Sequence, residues 1–118
     1  MNVSPVNETA PHDDAQDLVI EDLIAKAPAG ARASFYRTST GAEIDLVLEL
    51  GARERWAVEV KRSMSPAVAP GFHIGCEDIG ATRRIVVYPG AERFPLRKGI
   101  EVMGLVDAMA ALRKHAAR

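Results

Sequence analysis

Three polar side chains stand where an aliphatic sheet would carry apolar ones. Asp45 lies within Glu43-Ile44-Asp45-Leu46-Val47-Leu48-Glu49-Leu50, and Glu59 and Lys61 lie within Arg55-Trp56-Ala57-Val58-Glu59-Val60-Lys61-Arg62. Two carboxylates converging from neighbouring strands can hold one hard divalent cation, Mg²⁺ or Mn²⁺, through oxygen. A lysine two residues beyond the second carboxylate shares its face. From there it can orient a water or neutralise a phosphoryl oxygen. Together these are the parts of metal-assisted phosphodiester hydrolysis. The same residues also admit a plainer reading, a solvated strand face with a cross-strand Glu–Lys pair of small energetic weight.

The chemistry depends on register across a hairpin whose loop reads as Gly51-Ala52-Arg53-Glu54. Asp45 and Glu59 face each other only if paired residue numbers add to an even value. A strict two-residue loop at Ala52-Arg53 would pair Asp45 with Val60 and turn Glu59 to the other face. The site therefore requires an odd loop or a bulge, with Gly51 as the left-handed residue.

The elements that must position these groups follow from periodicity. Asp14 to Ala27 reads as an amphipathic helix, with Val19, Ile20, Leu23, Ile24 and Ala27 at helical spacing and Pro28 and Gly30 stopping it. Ser34 to Arg37 is a short strand, Thr38 to Gly41 a turn, and Glu43 to Leu50 a strictly alternating strand. Its alternation puts Ile44, Leu46, Leu48 and Leu50 on one face and Glu43, Asp45, Val47 and Glu49 on the other. In the partner strand Arg55 to Arg62, Trp56, Val58 and Val60 oppose Ala57, Glu59 and Lys61, which places Trp56 in the core against a helix. Ser63 to Ala69 is an irregular loop. Pro70 opens a second helix that carries Phe72, Cys76 and Ile79 inward and ends at Gly80. Arg84 to Tyr88 is a strand covered on both faces, Pro89-Gly90 a turn, Ile100 to Met103 a further strand, and Leu105 to His115 a last helix. The expected fold is α/β (α+β), a mixed central sheet flanked by helices. Residues 1–12 read as a flexible N-terminal tail and residues 13–118 as a single domain.

The chain has 118 residues, 47% of them hydrophobic and only 5% aromatic, so its one core must be aliphatic. A net charge of −1 excludes a polyelectrolyte held on nucleic acid or a membrane by bulk charge. Local basic groups remain: Arg53 with Arg55, Arg83-Arg84 and Arg97-Lys98 are either a nucleic-acid groove or solvated loop charge. The single cysteine, Cys76, reads as a buried small hydrophobe and permits no internal disulfide, which suits a cytoplasmic protein. No apolar run approaches the ~18 residues of a membrane span. His73 either faces the carboxylates or sits at the surface. Tyr36 belongs to the core with its hydroxyl at the rim, and an apolar edge-strand face leaves a homodimer open.

The segments Phe35-Tyr36-Arg37-Thr38, Gly41-Ala42-Glu43-Ile44-Asp45-Leu46-Val47-Leu48-Glu49, Ala57-Val58-Glu59-Val60-Lys61-Arg62-Ser63, Gly71-Phe72-His73 and Arg84-Ile85-Val86-Val87-Tyr88-Pro89-Gly90 resemble the PD-(D/E)xK nuclease-like module. The resemblance is closer to the C-terminal domain of unknown function attached to bacterial and archaeal ATP-binding proteins of the AAA type, and it runs from about Asp13 to Leu112. It implies a restriction-endonuclease-like core of helix, three-strand meander, helix and strand, followed by a strand and a helix. It also implies metal ligation by Asp45 and Glu59, with Lys61 as the catalytic lysine. Gln16 takes the place of a glutamate early in the first helix, and a neutral amide is a poorer ligand than a carboxylate. No G-x-x-x-x-G-K-[ST] loop occurs in these residues, so no ATP site is expected. Two functions follow: a Mg²⁺- or Mn²⁺-dependent nuclease acting on nucleic acid, or a catalytically inactive binding or assembly module that retains the fold and partners an ATPase or another protein.

Overall fold

In the computed structural model, residues 3–5 and 14–116 are described. They form a seven-stranded mixed sheet with three helices. The elements run β1 (Val3–Pro5), α1 (Asp14–Lys26), β2 (Arg32–Arg37), β3 (Glu43–Glu49), β4 (Arg55–Val60), α2 (Pro70–Ile79), β5 (Arg83–Val87), β6 (Phe94–Pro95), β7 (Ile100–Met103) and α3 (Leu105–Ala116). The sheet order is β1-β2-β3-β4-β5-β7-β6. The pairs from β1 to β4 are antiparallel, β4-β5-β7 are parallel, and β6 returns antiparallel to β7.

Both faces of the sheet are covered, so two aliphatic layers form. On one side α1 and α3 pack Ile20, Leu23, Ala108 and Leu112 against Leu46, Leu48, Trp56, Val58, Ile85 and Met103. On the other, α2 packs Phe72, Cys76 and Ile79 against Tyr36, Ile44, Val47, Ala57 and Val86. Trp56 is core against helices, and the His115 ring meets it edge-on at 6.0 Å. Gly80 ends α2 in the left-handed region at φ 66°, its N–H reaching the Cys76 and Glu77 carbonyls, as the Gly80 stop signal predicts.

Three differences from the sequence reading have local causes. Strict alternation places Ile44 with Leu46 and Leu48, yet Ile44 packs on the α2 side. Ser34 pairs with Val47, whereas Tyr36, two residues on, pairs with Ile44, three residues back. Strand β3 thus holds one extra residue across from Phe35, a bulge that reverses the faces at Asp45–Leu46. Next, β4 stops at Val60, so Lys61 lies just past the strand end, although its N–H still bonds the Val87 carbonyl at 2.8 Å. Finally, Val3–Pro5, expected within a flexible tail, adds an edge strand to β2. Residues 1, 2, 6–13, 117 and 118 lie outside the described residues, and with them most of that tail, including His12. The edge strands β1 and β6 are three and two residues long and each contains a proline, Pro5 and Pro95. Short, proline-bearing edges resist further strand addition.

Candidate functional site

The β3–β4 hairpin settles the register. Leu46 pairs with Val58, Leu48 with Trp56 and Glu49 with Arg55, and the Leu50 N–H bonds the Glu54 carbonyl at 2.9 Å. The loop is the odd one, Gly51-Ala52-Arg53, with Gly51 at φ 83°. The ladder ends at Leu46 and Val58, and beyond it Asp45 and Glu59 lie close enough for the charge of one to act on the other. The bulge lets the Asp45 carboxylate lean onto β4, where Oδ2 accepts the Val60 N–H at 2.9 Å. Asp45 is the one buried charged residue among those described, at 9% exposure.

Gln16, Asp45, Glu59 and Lys61 line one open cavity of about 650 Å³. Its walls include Gly41, Glu43, Arg62, Ser63, Gly71 and Phe72, so α1, α2, β3, β4 and the loop after β4 all contribute. Gln16 donates its side-chain amide to the Val60 carbonyl at 3.1 Å. Lys61 donates its Nζ to the Ala67 carbonyl at 2.6 Å and lies 3.5 Å from Glu59 Oε2. The Glu59 carboxyl is pushed up from 4.5 to about 7, chiefly by burial and then by the Asp45 charge. The Lys61 ammonium opposes the rise and Glu43 adds to it. Glu43 was not read as a site residue. Its place two residues before Asp45 on an alternating strand was the available signal, and the bulge obscures it.

Among the described residues no group of three His, Cys, Asp or Glu side chains is placed to hold a metal. Two carboxylates, Asp45 and Glu59, line the cavity. A hard cation such as Mg²⁺ binds through one or two carboxylates and takes its remaining oxygens from water and phosphate. Asp45 and Glu59 would be the ligands, and their mutual repulsion is what a cation would relieve.

Other candidates fall elsewhere. His73 lines a separate cavity of about 360 Å³ with Val68, Glu77 and Lys98, not the carboxylate cavity. Its Nδ1 is buried without a hydrogen-bond partner, and burial, followed by Lys98 and Arg84, holds its pKa below the usual range. Tyr36 is buried with its hydroxyl donating to Asp78 at 2.8 Å, tying β2 to α2. Arg55, Arg83 and Arg84 sit at the starts of β4 and β5, whereas Glu59 is near the end of β4, so they do not line a groove with the carboxylates. Arg83 holds Glu101 with two bonds, at 2.7 and 3.0 Å, and lies 4.6 Å from the centre of the Trp56 ring. Those hydrogen bonds and charges keep the Glu101 carboxyl below its usual pKa. Arg83→Ala is therefore expected to lower stability by about 1 kcal/mol, a partly exposed ion pair plus a cation–π contact, and to leave metal binding unchanged. Urea unfolding beside a Mn²⁺ titration checks both halves.

No helix among the described residues is long and apolar enough to cross a membrane. Uncharacterized proteins of Mycobacterium tuberculosis (Rv2008c) and Mycobacterium bovis (Mb2031c) are each 33% identical to the chain over 88 residues. The match covers 68% of this chain and 20% of theirs, so the chain spans about a fifth of the length of these relatives. No solved structure matches it. The model of a domain of unknown function, DUF4143, matches residues 15–107, and the chain belongs to that family.

Proposed function

We propose that this domain is a divalent-metal-dependent phosphodiesterase with a PD-(D/E)xK-type site, acting on nucleic acid. The observation that supports this reading is the pair of carboxylates, Asp45 and Glu59, which line one cavity from adjacent strands, one of them pushed up to about 7. Burying two like charges side by side is costly unless a cation joins them. In this reading Asp45, fixed by the Val60 N–H, and Glu59 would hold the metal, which would supply Lewis-acid polarisation of a phosphoryl oxygen. Lys61 supplies positive charge at the attacking water once its ammonium leaves the Ala67 carbonyl. Gln16, tied to Val60, braces the end of β4. The partner proposed for it is an ATPase, of the kind to which the domains it resembles are attached.

A second reading, an inactive binding or assembly module, draws on two contacts. The Gln16 amide donates where the family pattern has a carboxylate, and Lys61 is occupied by a loop carbonyl.

Mn²⁺ calorimetry separates the two without a guess at substrate. Uptake is expected in the wild type, with at least about tenfold weaker binding in Asp45→Asn. A screen for DNA and RNA cleavage, with Lys61→Ala as the control, follows. Absence of binding at millimolar Mn²⁺ would end the phosphodiesterase reading and leave the module.

A further inference from the structure

A second cavity, of about 720 Å³, opens at the carboxyl ends of the parallel strands β4, β5 and β7. The crevice beyond the carboxyl ends of strands is where open α/β sheets take ligands. Its walls are mainly apolar: Val19, Val60, Val87, Pro89, Leu105 and Val106. It adjoins the carboxylate cavity at the end of β4, where Gln16, Val60, Lys61 and Arg62 line both, the apolar cavity lying on the α1–α3 side of the sheet and the carboxylates on the α2 side. Around that strand end follow a carboxylate end, a basic middle and an apolar end that also carries Asp107.

The apolar end is built on fixed loops. The Tyr88 N–H bonds the Met103 carbonyl at 3.1 Å. The Tyr88 hydroxyl accepts the Glu92 N–H and donates to the Glu92 carbonyl, both at 3.1 Å. Gly104 lies against the Gly90 carbonyl so closely that a Cβ there would clash with it. The loops that wall the recess are thus tied to one another, and its volume is that of small-ligand sites generally.

We propose that this apolar end is the base-binding subsite of the phosphodiesterase site, so that the substrate is a single-stranded nucleic acid with one base turned out of the stack. The inference rests on the phosphodiesterase reading. With the phosphodiester at the carboxylates and beside Lys61 and Arg62, the adjoining nucleoside extends past Val60 into the apolar recess. The faces of a base suit aliphatic walls; a phosphate or a second strand does not. A paired base reaches such a recess only after unpairing and unstacking, whereas a single strand meets little of that cost.

Fluorescence anisotropy with a short labelled single strand, an abasic strand of equal length and the matching duplex tests this, with DNA and RNA forms compared. Wild type is expected to bind the single strand roughly tenfold or more tightly than either the abasic strand or the duplex. Ala15→Leu combined with Ala91→Leu, at two exposed wall positions, should narrow the recess and remove that preference without altering Mn²⁺ uptake. Equal binding of all three probes, or a preference that survives the double substitution, overturns the proposal. The Mn²⁺ titration reports the carboxylates independently. Base-dependent, substitution-sensitive binding without Mn²⁺ uptake keeps the recess and refutes the phosphodiesterase. Uptake without base preference does the reverse.

Discussion

Raising the pH from about 5 to about 8 is expected to lower the stability of the metal-free protein by about 2–3 kcal/mol through Glu59 alone. Its carboxyl titrates near 4.5 when unfolded and at about 7 when folded. Between those values the folded chain keeps a proton that the unfolded chain has released. The free energy of unfolding must then fall as pH rises through that window, and the loss is complete above the folded value. The side chain is only 17% exposed, so solvent screening removes little of the effect. Two other groups slope the opposite way: His73 and Glu101 are both held below their usual values, so each favours the folded state as pH rises. The measurement is accordingly a difference. Urea-unfolding free energies are taken across the pH range for wild type and Glu59→Gln, and the two curves are subtracted. The difference should be small near pH 5 and reach its full size above pH 7, with Glu59→Gln the more stable protein at high pH. Saturating Mn²⁺ should reverse the trend in wild type, because the cation binds the ionised pair and its stabilisation grows as Glu59 loses its proton. Parallel curves for the two proteins would remove Glu59 as the source.

Gly71→Ala is expected to cost about 2–4 kcal/mol, more than a helical Gly→Ala change ordinarily does, and with the opposite sign. By propensity alone, alanine near the start of α2 should stabilise it. A Cβ at position 71, however, would drive into the Gly41 carbonyl, a backbone group that cannot swing aside. Either α2 lifts from the Thr38–Gly41 turn or the turn gives way. Thr38 N–H bonds the Ala42 carbonyl at 3.0 Å and Ala42 N–H bonds Thr38 Oγ1 at 3.1 Å, so the turn is held at both ends. Gly41 and Gly71 both line the carboxylate cavity, and Mn²⁺ affinity should weaken along with stability. Gly80→Ala is the matched control. It carries the left-handed strain of φ 66° but has open space around it, so it should cost about 1 kcal/mol and leave Mn²⁺ affinity intact. Equal urea midpoints for the two variants would show that the close approach at Gly71 has no energetic consequence.

What could be read from the residues and what could not divides along one physical line. Local signals carried the elements: helical spacing in α1 and α3, and Pro70 and Gly80 bracketing α2. The same signals carried the pairing of strands that follow one another closely, but not the parity of the hairpin: Gly51 to Glu54 reads as a four-residue loop, whereas the Leu50 N–H bonds the Glu54 carbonyl and leaves three. Departures arose where a distant partner decided the outcome. The β3 bulge exists because β2 and β3 pair in two registers, which no alternation within β3 announces. The short strands β1 and β6 owe their form to neighbours remote in sequence. Val47 was assigned to a polar face and is buried at 1% exposure, because α2 covers the face that alternation left to charge. Gln16 lines the cavity as expected, but its hydrogen bond to Val60, 44 residues away, is a product of tertiary packing.

Cys76 lies at 0% exposure between α2 and the sheet, with burial pushing its thiol up to about 11. A thiol both shielded and protonated is chemically silent while the helix stays docked. Since the chain has no other cysteine, any modification by a thiol reagent must have passed through a state in which α2 has come away. The molecule thereby carries its own clock for that undocking. Labelling rates under native conditions count how often the helix that walls the carboxylate cavity departs, without the introduction of any probe.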